Sequence, residues 1–315
     1  MPDSLLHERR DFKALVATVA DSEKINDPAL VEKDYWIMHV VFGLKQLGLT
    51  FELKGGTSLS KGFGIIQRFS EDIDIRIEPF GGLQVDTNPN HEKPQHIESR
   101  RVFYERLRDK IKISGISTVE RDTTYDDEPL RNAGLRLSYE TNFGSIAGLK
   151  DGILLEVGFD QTTPNRPVTI SSWVVQFADA KKLQYANNRA LDISCYNPEY
   201  TFVEKVQAVV RKYGQFKVTG KTPTNFLRHY YDIHQLLDVE AVQKFIGTPE
   251  YLAHKKKRFK SLDHNVAQSG AFTIEDENIR KQLEAEYSKT AALYYRGQIP
   301  LGTILARIQR DLARL

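Results

Sequence analysis

The chain predicts an α+β fold, with a mixed sheet flanked by helices and then a mainly helical C-terminal half. Three observations carry this. Residues 72–78 alternate, Ile73, Ile75 and Ile77 on one side and Asp72, Asp74 and Arg76 on the other, as in a strand with one buried face. Residues 152–160 alternate again, with Ile153, Leu155, Val157 and Phe159 opposite Glu156, Gly158 and Asp160. After about residue 196 the apolar spacing turns helical.

In order, helices are predicted over 4–20 and 28–48, the second with Leu30, Val31, Trp36, Ile37, Val40, Val41 and Leu44 at helical spacing. Phe51 and Leu53 mark a short strand over 51–54, a helix follows over 57–66, and then comes the strand 72–78. Residues 79–96 hold glycine, proline and asparagine without periodicity and read as a loop. A helix over 97–113 precedes strands near 116–122, 133–141 and 152–160. The second half predicts helices over 199–213, 223–238, 239–257, 275–296 and 300–314, with 215–224 as a connection. The expected domains are 1–195 and 196–315.

The bulk numbers narrow the class. A chain of 315 residues, 40% hydrophobic and 27% charged, has the composition of a soluble globular protein able to bury a real core. Net charge of +2 and pI near 8.4 neither demand nor exclude nucleic acid. Cys195 is the only cysteine, so there is no intrachain disulfide and no cysteine-rich zinc site. The N-terminus lacks the apolar core of a signal peptide, and no stretch reaches transmembrane length, so a reducing cytoplasm and no membrane partner are expected. The eight histidines show no metal-ligand spacing, and no serine-hydrolase elbow appears.

The chemistry concentrates in Lys54-Gly55-Gly56-Thr57-Ser58-Leu59-Ser60-Lys61 and Arg68-Phe69-Ser70-Glu71-Asp72-Ile73-Asp74. Asp72 and Asp74, one residue apart on a strand, point the same way. Two carboxylates side by side repel each other unless a cation sits between them, and magnesium suits hard oxygen ligands that phosphates complete. The glycines let backbone approach a phosphate closely, and the helix start that follows offers free N–H groups. Alone, Gly-Gly-Thr-Ser is more often a turn and an N-cap; followed by Asp-x-Asp on an alternating strand, it is a strong signal.

Together these residues resemble the signature of DNA polymerase beta-like nucleotidyltransferases. The fuller string from Phe51 to Lys61, with Arg68 to Asp74 and the upstream Val31-Glu32-Lys33-Asp34-Tyr35-Trp36, is similar to the AbiEii/AbiGii toxin branch of that superfamily. The likeness covers residues 31 to about 238. It implies a polymerase beta-like nucleotidyltransferase core in the first domain. It also implies a third carboxylate on a later strand that binds metal and acts as base. Glu156, mid-strand, is where it places that residue; Asp160 on the same face is the alternative, and a solvent-facing acid is the bland reading.

The helix around Phe202 to Arg211 resembles a further element of the branch, with Glu204, Lys205, Ala208 and Arg211, though an exposed helix with an ion pair is the plain reading. The next carries Arg228-His229-Tyr230-Tyr231-Asp232, where the branch commonly has Arg-Asp-x-x-Asp, so His229 is a departure. Arg228 and Asp232, one turn apart, read plainly as a salt bridge. The functional reading is a lysine on triphosphate oxygens backed by an aspartate that orients it. Glu32-Lys33-Asp34 receives no role. Lys255, Lys256, Lys257, Arg258 and Lys260 form a cationic run; a solvated helix face and an RNA backbone patch are equally matched readings.

The resemblance therefore implies a toxin-type nucleotidyltransferase in a toxin–antitoxin or phage-defence pair. It would transfer a nucleoside monophosphate from a nucleoside triphosphate to an acceptor hydroxyl, with an RNA such as the tRNA 3′ end the expected acceptor and a separate antitoxin protein the expected partner. Asp72, Asp74 and Glu156 are the expected ligands of two magnesium ions, and Lys205 joins them as a catalytic residue. Lys54, Gly55, Gly56, Thr57, Ser58, Lys61, Arg68, Ser70, Arg228 and Asp232 are the expected nucleotide contacts. Transfer to a protein or small-molecule hydroxyl, and a non-catalytic binding module, are the alternatives.

Overall fold

Ile73, Ile75 and Ile77 are buried in the computed structural model of the chain, and the strand they belong to is the middle of a seven-stranded mixed sheet. The structure describes residues 4–146, 149–259 and 265–315. Two compact units emerge, Met1–Phe63 with Ser70–Tyr196, and Gly64–Phe69 with Asn197–Leu315. The short segment 64–69, expected in the first domain, packs with the second unit instead.

The first unit runs α1 (Phe12–Glu23), α2 (Pro28–Gln46), β1 (Phe51–Lys54), a single turn α3 (Gly55–Thr57), β2 (Asp72–Ile77) and α4 (Pro94–Lys110). It continues with β3 (Ile116–Arg121), β4 (Asn132–Tyr139), β5 (Ile153–Gly158), β6 (Asn165–Ile170), α5 (Trp173–Ala180) and β7 (Ala190–Tyr196). The sheet order is β3-β4-β5-β2-β1-β7-β6. The β2–β5 and β1–β7 pairs are parallel, and the other four are antiparallel.

α2 is buried almost all round, because it packs against α1 and α5 and onto β2, β5 and β7. A helix so placed cannot carry unpaired charge, so Glu32, Lys33 and Asp34 must each find a partner. Thr141 and Asn142 donate to Glu32, Lys33 donates to the Lys150 carbonyl at 2.5 Å, and Asp34 pairs with Lys61 at 2.6 Å.

The helix expected over 57–66 is shorter than its sequence pattern: α3 opens into a wider turn over Ser58–Gly62, and Gly64 has φ +64°. The strands β6 and β7 and the helix α5, missing from the sequence reading, complete the sheet edge beside β1.

The second unit holds α6 (Pro198–Thr219), α7 (Arg228–Leu236), α8 (Glu240–Phe245), α9 (Pro249–Phe259), α10 (Glu277–Ser288) and α11 (Leu301–Gln309). α6 outruns its expected end, stopping where Gly220 takes the left-handed conformation at φ +67°. The helix expected over 239–257 is two, separated at Gly247 (φ +89°) just before Pro249, which opens α9 where its missing N–H costs nothing. Segment 64–69 is bonded into this unit: Gln67 N–H donates to the Tyr231 hydroxyl, Phe69 N–H to the Leu293 carbonyl, and the Tyr295 hydroxyl to the Ile66 carbonyl.

Candidate active site

Asp74 lies directly opposite Glu156 across the parallel pair β2–β5, and Asp72 lies opposite Leu154. Residues paired in register share a sheet face, so Asp72, Asp74 and Glu156 stand on one face. Lys54 of β1 is opposite Asp74 on its other side. Asp160 lies beyond the end of β5, outside this register.

The turn after β1 is shaped for Asp74. Gly55 has φ +73°, and a Cβ there would stand 2.1 Å from Asp74 Oδ2. Only glycine fits this position, for backbone conformation and for space. The two hydroxyls after it tie the turn down: Thr57 Oγ1 donates to the Asp72 carbonyl at 2.5 Å, and Ser58 Oγ to the Gly55 carbonyl at 3.0 Å. Both side chains are fully buried. Their hydroxyls, expected to meet phosphate directly, hold the backbone of the turn against β2.

Lys61, another expected nucleotide contact, is a buried partner of Asp34, and its ammonium lies 3.9 Å from the Trp173 ring centre. Burial pushes the Lys61 ammonium down and the Asp34 carboxyl up, and each is the other's main compensating charge. The Trp173 N–H donates to the same carboxylate. Asp34 thus fixes the far end of the glycine turn.

Lys33 sits within electrostatic reach of Asp72. Burial lowers its pKa, and the charges of Glu71 and Asp72 oppose that most strongly. The sequence held a signal for this residue, three consecutive charges inside an apolar helix, but no rule told which strand they would face.

In the second unit, Arg68 makes a two-pronged ion pair with Asp232, Nε and Nη2 each 2.7 Å from a carboxylate oxygen, and its Nη1 donates to the Phe69 carbonyl. Lys205 Nζ lies 3.0 Å from Asp232 Oδ2. All three side chains are buried. Burial alone would raise the Asp232 carboxyl; Arg68 and then Lys205 outweigh it and hold it well below the usual range. Burial lowers the Lys205 ammonium, with Asp232 the main opposing charge. Asp232 therefore pairs with both Arg68 and Lys205. Arg68, expected on phosphate, is committed to Asp232. His229 is half-buried, with its Nδ1 shielded from solvent and lacking a hydrogen-bond partner, and desolvation, then the Lys205 charge, keeps its imidazole neutral.

The cationic run of α9 is partly committed as well. Arg258 pairs with Glu204 at 2.6 Å, and Lys255 Nζ donates to the Leu315 carbonyl. Lys256 and Lys257 are exposed, and Lys260 lies outside the described residues. No helix among the described residues is long and apolar enough to cross a membrane.

One further arrangement escaped the sequence reading. Among the described residues, the one group of three or more His, Cys, Asp or Glu whose ligand atoms all lie within 4.8 Å is Asp86, His91 and His96. The histidines, which showed no metal-ligand spacing in the sequence, are brought together by a folded loop.

No curated protein matches the chain. A solved antigenic nucleotidyltransferase-like protein from Paracoccidioides brasiliensis is similar at 15% identity and a TM-score of 0.38, over 76% of this chain and 92% of its own. Two strand aspartates stand over a glycine turn, with a glutamate opposite on the neighbouring strand. Residues 37–308 match the family described as nucleotidyl transferase AbiEii toxin of type IV toxin–antitoxin systems, and with most of its length inside that match the chain belongs to the AbiEii nucleotidyltransferase toxin family.

Proposed function

We propose that the face bearing Asp72, Asp74 and Glu156 transfers a nucleoside monophosphate from a nucleoside triphosphate to the hydroxyl of an RNA acceptor, a tRNA 3′ end first, in a toxin–antitoxin or phage-defence system. The observation that carries the reading is the direct opposition of Asp74 and Glu156, with Asp72 two residues along the same face. These residues suit magnesium: the donors are all hard oxygens, and the missing Cβ of Gly55 leaves the space that the Asp74 carboxylate occupies. Asp72, Asp74 and Glu156 would hold the metal, which when bound polarises the α-phosphate and neutralises charge on the triphosphate.

Glu156 accepts the proton of the acceptor hydroxyl as that oxygen attacks the α-phosphorus. The bond from the α-phosphorus to the bridging oxygen breaks, and pyrophosphate leaves. The Gly55-Gly56 turn offers backbone N–H groups to phosphate oxygens, with Thr57 and Ser58 holding its shape. Lys54 and Ser70 are further proposed phosphate contacts. In the second unit Lys205 is the proposed phosphate ligand, with Asp232 and Arg68 positioning it.

Incubation with each of the four α-labelled triphosphates and total RNA tests the reading, with Asp74→Asn as the blank. Label on RNA, absent with Asp74→Asn, is the expected result. Label on protein would move the acceptor to another class. No label with any triphosphate at millimolar magnesium would overturn the transferase reading for this face.

A further inference from the structure

We propose that Asp86, His91 and His96 form a second metal site, separate from the carboxylate face, that takes a divalent transition ion of the zinc class. The three lie five residues apart in the loop after β2 and the first turn of α4. His91 Nδ1 is 2.7 Å from Asp86 Oδ2, and His96 Nδ1 lies against the same oxygen. The two rings stand at 90° with centroids 4.9 Å apart, so two ring nitrogens and a carboxylate converge from different directions.

Two imidazole nitrogens and one carboxylate oxygen are the donor set of zinc, cobalt or nickel, whereas magnesium and calcium take oxygens. Three protein ligands leave a fourth position for water, which the place in a shallow surface cleft permits. Ligation through both Nδ1 atoms directs each Nε2–H outward, and each meets an amide. Asn88 Nδ2 lies 3.2 Å from His91 Nε2, and Gln95 Nε2 lies 3.2 Å from His96 Nε2. An amide turned by half a rotation presents its oxygen there, and such outer partners fix the orientation of ligating histidines.

The loop is also built to hold its shape without an ion. Arg100 is fully buried, and its guanidinium donates to the carbonyls of Asp86, Asn88, His91 and Pro129 at 2.7–2.8 Å. The Ser99 hydroxyl accepts from the Asp86 N–H and donates to the His96 carbonyl, joining two of the proposed ligands through their backbones. Arg100 thus fixes the backbone that carries Asp86 and His91.

The test uses the whole chain, stripped with chelator and returned to millimolar magnesium to occupy hard carboxylate sites. Zinc is then titrated by calorimetry, and cobalt by its visible absorption. Expected are one tightly bound zinc per chain and the intense visible bands of a four-coordinate cobalt ion. His91→Ala removes a ligand that is half-exposed, so the fold should stay intact by far-ultraviolet circular dichroism. Its zinc affinity should fall by more than the roughly ten- to hundredfold that an outer-shell partner is worth. Asp86→Asn should do the same, while Asp74→Asn should leave zinc binding unchanged. Wild-type zinc affinity in both His91→Ala and Asp86→Asn, or the absence of any cobalt band, would overturn the site. The loop would then be only a hydrogen-bonded clasp.

Discussion

Gly55 and Asp74 share a space that admits only one side chain: a Cβ on Gly55 would stand 2.1 Å from Asp74 Oδ2. Gly55→Ala must therefore move the carboxylate as well as strain a backbone at φ +73°. We expect transfer activity to fall at least about a hundredfold, in the range of losing a positioned catalytic group. Gly81→Ala is the control, since Gly81 also has positive φ (+64°) but meets nothing within 4 Å. It should cost only the conformational penalty of about 1–2 kcal/mol and leave turnover intact. Equal activity in the two variants would show that the approach to Asp74 does not matter.

The acids should separate by kinetics. Asp72→Asn and Asp74→Asn should abolish transfer at ordinary magnesium. Glu156→Gln should lower kcat by roughly 10²–10⁴-fold with little change in triphosphate KM, because a base acts mainly in the transition state. An active Glu156→Gln beside a dead Asp160→Asn would move the base to the residue beyond the end of β5.

Asp232 joins two buried cations, so its loss should appear in stability as well as in turnover. Asp232→Asn leaves Arg68 and Lys205 buried without the carboxylate that compensates them, at about 3–5 kcal/mol. The folded carboxyl titrates below its ordinary value of 3.8, so its contribution is complete above that value. It is lost as pH falls through the folded value. Wild-type denaturant midpoints should thus decline on acidification below about pH 4, and that part of the decline should be missing in Asp232→Asn. Parallel profiles would return the cluster to a minor role.

Lys205→Ala should raise triphosphate KM and lower kcat together, since an ammonium on phosphate binds both ground and transition states. An ammonium that serves only Asp232 would change stability and leave both constants as they are.

Lys256 and Lys257 are the cations of α9 to test for RNA, because both are exposed. The double reversal to glutamate should weaken RNA binding and flatten its salt dependence, by about 0.7 for each single-strand phosphate that is no longer neutralised. Triphosphate binding should stay the same. An unchanged salt slope would make α9 a solvated face.

Asp72 and Asp74 were legible from sequence because strand alternation is local: two residues apart on a strand always share a face. The glycine turn was legible for the same reason, and so was the change to helices after residue 196. Local rules reached no further. Glu156 stands opposite Asp74 through the register of β2 against β5, which the packing of the whole sheet sets. Arg68 and Asp232 meet across 164 residues of chain, and α2 conceals three charges whose partners lie on distant segments. Asp86, His91 and His96 follow neither helical nor strand spacing, and the buried Arg100 together with the Ser99 hydroxyl brings their backbone into a loop that gathers them. Alternation, turn chemistry and helical period depend on neighbours along the chain, so the sequence alone determined them. The partners of buried charges depend on which surfaces exclude water together, and only the tertiary structure decides that.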